Sequence, residues 1–375
     1  MRIPFLKPCL PILSEYAHLI DRIDELKLYS NYGPMITEFE RKFLQYFFNG
    51  RGSLSSVSNA TIGLMLAIQA VKRQGKYAIM PSFTFAATPL AAQWCGLKPL
   101  FVDIDADTWA CNPQAIEDII SEYQNDIAVV VPYAPFGSCI DISFYINLME
   151  RGVPVVIDAA ASVGSFNQDG SHFGSEFLGP VVFSLHATKA FGIGEGGIIY
   201  SADSELIERI RRMTNFGFGV DRVSHDLGLN AKLPEISGAV GLAALDDAQK
   251  KKKIKSNLVS FYMETIQKSA LLSDNTTFFH ATGDIPFQFF PLRMRDGLYN
   301  TDIVRALNTD DIEIRTYFSP ACHQQKQFAD AVKAELPITD ALANTVLNLP
   351  LWEGMSEAQI IDICAALERA IQNLI

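Results

Sequence analysis

The sequence predicts an α/β fold, in which helices wrap a mostly parallel central sheet and a smaller C-terminal α/β domain follows. Short β-branched runs alternate with helical patterns through the first two thirds of the chain. Several of these runs are continuously apolar, which is typical of strands covered on both faces. The pattern changes after about residue 234, and 375 residues at ~150 residues per domain also suggest two domains.

Strands and helices alternate along the predicted large domain. Strands are predicted at Tyr77–Met80, Leu100–Asp103, Ile127–Pro132, Val153–Asp158, Val181–His186 and Gly197–Tyr200. Helices are predicted at Ala60–Arg73, Ala86–Trp94, Ile142–Arg151 and Ser204–Met213. This alternation predicts parallel strands joined by helical crossovers, with a ligand outside the carboxyl ends of the strands.

The C-terminal third starts with a long helix, which Pro234 can open. We therefore divide the chain into a large domain, residues 1–245, and a small domain, residues 246–375. The lysine run Lys250–Lys253 on the long helix is predicted to form a solvated face. In the tail, strands are predicted at Phe287–Arg293 and Ile312–Thr316, and helices near Asp302–Leu307 and Glu357–Gln372.

Composition and charge exclude several classes of protein. Hydrophobic residues make up 49% of the chain, which is far from the composition of a disordered protein. A net charge of −11 and the lack of a long basic tract argue against nucleic-acid binding. The N-terminal apolar stretch is short and broken by prolines, and the uncharged segment Tyr77–Leu97 contains Pro81 and Pro89. We expect no signal peptide and no membrane span.

The cysteines are scattered without CxxC pairs, which is typical of free thiols in a reducing cytoplasm. The histidines lack the spacing of metal ligands, so no metal site is predicted. A hydrolase of the Ser–His–Asp type is not indicated either, because the GxSxG motif is missing.

Four segments have the residue types of a binding site. Val57–Gly63 holds small and polar residues just before a helix, where free backbone N–H groups can bind phosphate. Asp158 ends an apolar strand, where a carboxylate needs a cation or a strong donor. Lys189 lies five residues after Ser184 and before a glycine-rich turn, and a buried lysine is a suitable nucleophilic amine. Phe85 follows another strand and could cover a flat ring.

Each segment alone has an ordinary structural explanation, such as a helix cap, a surface charge or a core aromatic. Together they supply what pyridoxal 5′-phosphate (PLP) requires: a phosphate cradle, a stacking ring, a carboxylate for the pyridine nitrogen and a lysine for the aldehyde. The sequence therefore predicts a PLP site.

The chain resembles the DegT/DnrJ/EryC1/StrS family of PLP-dependent sugar aminotransferases over essentially its whole length. An ordered series of motifs carries this resemblance, from Asn31–Pro34 through Phe101–Asp105 to Asn348–Trp352. It also includes PSFTFAAT, VIDAAAS, FSLHATKAFGIGEGG and GLNAKLPEISGAVGLAALD, as well as Tyr317, Pro320 and His323. The resemblance implies a type I aminotransferase fold and a homodimer with active sites at the subunit interface.

The resemblance also assigns roles to residues. It implies that Lys189 forms the Schiff base with PLP, Asp158 partners the pyridine nitrogen and Phe85 stacks on the ring. Phosphate contacts are implied for Ser184, for the backbone of Ala60 and Thr61, and for Asn230, which would reach the neighbouring subunit's cofactor. The predicted substrate-binding residues are Lys232, Arg315, His323 and Tyr32.

The implied reaction transfers an amino group from L-glutamate to a keto group of a nucleotide-linked sugar, with O-antigen or other surface-glycan synthesis as its setting. Three departures from the family pattern fall around the substrate pocket: Ala161 replaces glutamine or histidine, Ala134 replaces histidine, and Asn230-Ala231-Lys232 replaces Asn-Tyr-Arg. Two alternatives stay open, a PLP- or pyridoxamine phosphate-dependent sugar dehydratase and a PLP-binding regulatory protein without turnover. Retention of Lys189 disfavours the dehydratase.

Overall fold

The computed structural model describes residues 2–375, in which strands and helices alternate as the sequence predicts. The helices are α1 (Leu13–Leu26), α2 (Pro34–Phe48), α3 (Ala60–Val71), α4 (Ala87–Trp94), α5 (Pro113–Tyr123), α6 (Ile142–Glu150), α7 (Ser204–Met213), α8 (Glu235–Lys268), α9 (Ala270–Asn275), α10 (Asn300–Thr309), α11 (Pro337–Thr345) and α12 (Glu357–Gln372). The strands are β1 (Ser53–Val57), β2 (Tyr77–Pro81), β3 (Lys98–Val102), β4 (Ile127–Val130), β5 (Ile157–Asp158), β6 (Val181–Ser184), β7 (Gly197–Ser201), β8 (Thr276–Phe278), β9 (Phe290–Met294), β10 (Val332–Lys333) and β11 (Val346–Leu349).

The central sheet consists of two four-stranded sections, ordered β1-β7-β6-β5 and β10-β3-β2-β4. Single parallel bridges, Val130 with Val155 and Tyr133 with Asp158, connect β4 to β5. Only β7 among the strands of residues 2–375 in this sheet runs against its neighbours, β1 and β6. The sheet is therefore mostly parallel, as predicted, with one reversed strand beside the site.

The strands of the large domain are apolar because helices cover both faces of the sheet. Every residue of β4, β6 and β7 is buried. One core cluster packs on the α2 side of the sheet, and a second packs between the sheet and α3, α4 and α7. This packing fixes the carboxyl ends of β5 and β6, which carry Asp158 and Ser184.

The C-terminal part forms an antiparallel sheet, ordered β11-β9-β8, against α8, α10 and α12. The predicted boundary between the large and the small domain, at residues 245 and 246, stays a proposal because α8 spans it. Two contacts also cross it: Ile3 packs in the C-terminal core cluster, and Val332 of β10 pairs with Leu100 of the central sheet.

One prediction about the C-terminal third is wrong, and a second is correct only in part. Residues 312–316 form no strand, because their pairing is split between isolated bridges, from Ile312 to Ile3 and from Arg315 to Asn348. The lysine run is only partly solvated. Lys251 Nζ donates to the Cys9 carbonyl at 2.7 Å, and Lys252 Nζ donates to the Gly164 carbonyl at 2.9 Å. These lysines connect α8 to other segments because the helix runs between them.

Candidate active site

A wide pocket opens at the carboxyl ends of β5 and β6 and at the first turn of α3. The βα topology predicts a site at this edge of the sheet. Residues that the sequence singled out line it together with residues that it did not: Leu6, Asn59, Ala60, Thr61, Ile62, Leu64, Phe85, Ala87, Tyr133, Phe136, Asp158, Ala160, Ser184, His186, Thr188, Lys189, Glu195, Gln288, Phe289, Tyr317 and Phe318.

Lys189 lies in the loop between β6 and β7, where its backbone N–H donates to the His186 carbonyl at 2.9 Å. The Nζ atom donates to Oε1 of Gln288 at 3.4 Å. Burial lowers the pKa of the Lys189 ammonium, and the nearby charge of Asp158 opposes this effect. A lysine with a lowered pKa yields more of the neutral amine, which is the form that attacks a carbonyl.

Asp158 ends β5 and is 3% exposed. Its carboxylate accepts a hydrogen bond from the Thr88 hydroxyl at 2.6 Å and one from the Ala160 N–H at 3.1 Å. Burial raises the pKa of the Asp158 carboxyl, whereas these two hydrogen bonds and the charge of Lys189 lower it. A buried carboxylate held in this way is prepared to pair with a cationic group in the pocket.

The first turn of α3 presents backbone donors to the pocket. Asn59 caps this helix by accepting from the Ile62 N–H at 2.9 Å, but the N–H groups of Ala60 and Thr61 find no acceptor within residues 2–375. The neighbouring strand approaches closely because residue 197 is glycine: a Cβ there would lie 2.8 Å from the Ala60 nitrogen. Ser184 lines the same part of the pocket. This cradle suits a phosphate.

Aromatic side chains form one wall of the pocket. Phe85 is 59% exposed although it lies in the pocket, and its ring centroid is 6.4 Å from that of Phe318. Phe318 in turn packs on Tyr133, with 5.8 Å between the ring centroids. A planar ligand could cover the free face of Phe85 and bury it.

The residues present fit PLP by three separate observations. Two free N–H groups at a helix start suit its phosphate, a buried carboxylate suits its ring nitrogen, and a partly buried amine suits its aldehyde. No cluster of His, Cys, Asp or Glu suited to a metal ion occurs within residues 2–375.

Asn230 and Lys232 lie outside this pocket, at the base of a loop that residues 214–232 form. Asn215 pairs with Asn230 across the base. Lys232 Nζ donates to Oδ1 of Asn215 at 2.7 Å and to Oδ1 of Asn230 at 2.8 Å. Within one chain neither side chain reaches the pocket. A role of either in binding cofactor or substrate therefore requires a second subunit.

The other predicted substrate-binding residues do not line the pocket either. Arg315 pairs with Glu313, and its guanidinium lies 5.6 Å from the centre of the Phe5 ring. His323 is enclosed, with Nδ1 at 2.7 Å from the Ser82 hydroxyl and Nε2 at 3.0 Å from the Asp340 carboxylate. Tyr32 contacts Thr214, and Arg211 packs over its ring at 4.6 Å. Their contact with substrate stays a prediction.

The sequence reasoning missed Gln288, Thr188 and His186 as pocket residues. Thr188 and His186 flank the lysine motif, so their proximity to Lys189 in the sequence could have indicated them. Gln288 is 99 positions from Lys189 and carries no motif. Of the departures, Ala134 and Ala161 are both buried, and neither places a polar side chain in the pocket.

A sequence model described as the DegT/DnrJ/EryC1/StrS aminotransferase family matches residues 12–368. In fold, the chain is similar to a Bacillus cereus protein assigned as a PLP-dependent aminotransferase. That structure has a TM-score of 0.96 and 42% sequence identity, with 98% of this chain and 100% of that chain covered. The predicted type I aminotransferase fold is confirmed by this similarity.

Two curated relatives are named for nucleotide-linked amino sugars. The dTDP-4-amino-4,6-dideoxy-D-glucose transaminase of Escherichia coli is 27% identical over 97% of this chain and 98% of its own length. The GDP-perosamine synthase of Caulobacter vibrioides is 29% identical, with 91% of each chain covered. The prediction of an aminotransferase is confirmed by the family model, and the similar Bacillus cereus protein is itself described as PLP-dependent, in agreement with the predicted cofactor.

Proposed function

The chain belongs to the DegT/DnrJ/EryC1/StrS aminotransferase family, and we propose that it transfers an amino group from L-glutamate to a keto group of a nucleotide-linked sugar. One observation carries this proposal: a single pocket holds a partly buried amine, a buried carboxylate and the free N–H groups of a helix start. In this proposal Lys189 binds the aldehyde of PLP through a Schiff base.

Some residues of the pocket would hold the cofactor, and Lys189 would also transfer protons. Ala60, Thr61 and Ser184 would bind the phosphate, and Phe85 would cover the ring. Asp158 would keep the ring nitrogen protonated. When bound, PLP supplies an electron sink for the carbon that loses its proton.

Lys189 would have two tasks, to hold the aldehyde of the cofactor and, as a free amine, to move a proton. The free Nζ would then remove the α-proton of glutamate, and it would return a proton to the sugar carbon in the second half-reaction. The buried setting lowers the pKa of Lys189, which favours the neutral amine that this proton removal requires.

The names of the relatives support a nucleotide-linked sugar as the substrate. Their names specify different nucleotides, dTDP and GDP, so the shared feature is a nucleotide-linked sugar. Both relatives are named for amino sugars, which suits a keto sugar as the acceptor of the amino group. Among residues 2–375 no helix is long and apolar enough to cross a bilayer. A cytoplasmic location and a role in surface-polysaccharide synthesis stay predictions.

A homodimer is the second part of the proposal, and an exposed apolar surface supports it. The 214–232 loop leaves large apolar side chains in solvent, which is typical of a protein–protein contact. They are Phe216, Phe218, Val220, Val223, Leu227 and Leu229. Asn230 at the base of this loop would then reach the cofactor phosphate of the second copy.

We expect Leu227→Asp to weaken this dimer, because Leu227 is 73% exposed and a charge there would be buried between subunits. Sedimentation velocity at micromolar concentration should show a shift from dimer to monomer and weaker PLP binding. Leu178→Asp is the matched control, since Leu178 is 59% exposed but lies outside the loop. A wild-type monomer, or an unchanged dimer in Leu227→Asp, would contradict the assignment of this surface.

The amino donor can be tested by the visible absorbance of the purified protein with PLP, before and after addition of L-glutamate. We expect a yellow protein that bleaches as glutamate gives up its amino group, with 2-oxoglutarate formed in equal amount. A yellow protein that ignores glutamate would refute the donor. With a keto sugar added, an amine product supports the aminotransferase, whereas loss of a hydroxyl would identify the dehydratase alternative.

A further inference from the structure

Gln288 reaches Lys189 from the C-terminal part of the chain, in the connection between β8 and β9. It is 7% exposed, and its Oε1 lies 3.4 Å from Lys189 Nζ. Burial of an amide is costly unless it is hydrogen-bonded, so the partners of Gln288 decide which of its atoms faces the amine.

A chain of hydrogen bonds fixes the orientation of this amide. The Thr188 hydroxyl lies between the ring of His186 and this amide, with its oxygen 2.8 Å from Nδ1 of His186. The same hydroxyl oxygen accepts from Nε2 of Gln288 at 3.3 Å, so Oε1 of the amide faces Lys189.

We propose that Gln288 is a further catalytic residue, which holds the free amine of Lys189 in the pocket between the two half-reactions and sets how strongly that amine retains a proton. This inference rests on the proposed function, since it requires Lys189 to be the amine that binds PLP. Gln288 offers an acceptor without a charge, so it aims Nζ and stabilises the ammonium only moderately.

Other titratable groups lie near Lys189, and the substitutions at residue 288 leave all of them in the chain. Asp158 faces it from the end of β5, and His186 and Glu195 come from its own loop. A small neighbouring cavity behind Lys189 brings further charges near: Lys7, Lys251, Lys255 and Glu353. A difference between Gln288 variants therefore reports on residue 288 itself.

The test is the rate at which cofactor-free enzyme captures added PLP covalently, measured against pH by visible absorbance. Capture requires the neutral amine. Gln288→Leu removes the acceptor, so we expect its pH profile to move to lower pH by about half a unit to one unit. Gln288→Glu keeps the acceptor atom and adds a negative charge, so we expect a shift of about one unit or more to higher pH.

Opposite shifts in two variants of similar size cannot come from a loss of packing. Thr188→Val removes the hydroxyl that orients the amide, and we expect it to shift the profile in the direction of Gln288→Leu but less. If a thermal unfolding assay shows that Gln288→Leu does not fold, the pH profile of the nearly isosteric Gln288→Glu variant still tests the role of Gln288.

Two results would overturn the inference in different ways. If the wild-type protein captures PLP through Lys189 but the Gln288→Leu and Gln288→Glu profiles superimpose on it or shift together, only the role of Gln288 is wrong. If the wild type captures no PLP, or Lys189→Ala captures it equally well, the role of Gln288 and the proposed function are both wrong.

Discussion

Lys189→Ala is expected to lose covalent PLP binding and to lower transamination by about 10³-fold or more, since one side chain serves as both the attachment point and the proton carrier. The colourless variant should still bind pyridoxamine phosphate, because the backbone donors of Ala60 and Thr61 remain. Visible absorbance and a coupled assay for 2-oxoglutarate would measure the two effects.

Lys189→Arg is the matched variant, because it keeps a positive charge in the pocket but cannot provide a neutral amine. We expect it to be as inactive as the alanine variant. Partial rescue of Lys189→Ala by added small primary amines would support the role in proton transfer. Activity within tenfold of the wild type in either variant would contradict the assignment of Lys189.

Asp158→Asn is expected to keep the covalent PLP attachment but to slow the reaction by about 10²-fold or more, because a neutral amide cannot hold the ring nitrogen in its charged form. The loss should fall on removal of the α-proton. Single-turnover reactions with glutamate deuterated at the α-carbon would show this as a larger isotope effect than in the wild type.

Thr88→Val perturbs the Asp158 carboxylate without removing it. The Thr88 hydroxyl lies 2.6 Å from Asp158 and lowers the pKa of its carboxyl, so its removal should raise that pKa further. The acid limb of the pH profile of kcat/KM should therefore move to higher pH, by about half a unit to one unit. An unchanged acid limb, or full activity in Asp158→Asn, would show that the carboxylate does not serve the cofactor.

The order of the elements and the main site residues could be predicted from the sequence because their signals are local. Apolar runs mark buried strands, and the ends of those strands mark the edge where loops meet. Asp158 and Lys189 each follow such a run, so their presence in one pocket follows from the parallel arrangement. The family motifs then suggest roles that no periodicity could supply.

Other predicted site residues lie outside the pocket of one chain, because tertiary contacts give them partners that the sequence does not reveal. His323 has both ring nitrogens engaged, by Ser82 and by Asp340, which are 241 and 17 positions away. Lys232 has its Nζ held by two asparagines of its own loop. The polar strand Ser53–Val57 was also missed, since its serines hide the strand pattern although most of the strand is buried.

The sequence by itself determined the βα alternation, the strand ends that form the site and the type of chemistry that Lys189 and Asp158 can perform. Only the tertiary structure decided the reversal of β7, the enclosure of His323 and the arrival of Gln288 at Lys189. The reason is physical: hydrophobic period and motif spacing are set by neighbouring residues. The direction of a strand and the partner of a buried amide depend on which distant segments pack together.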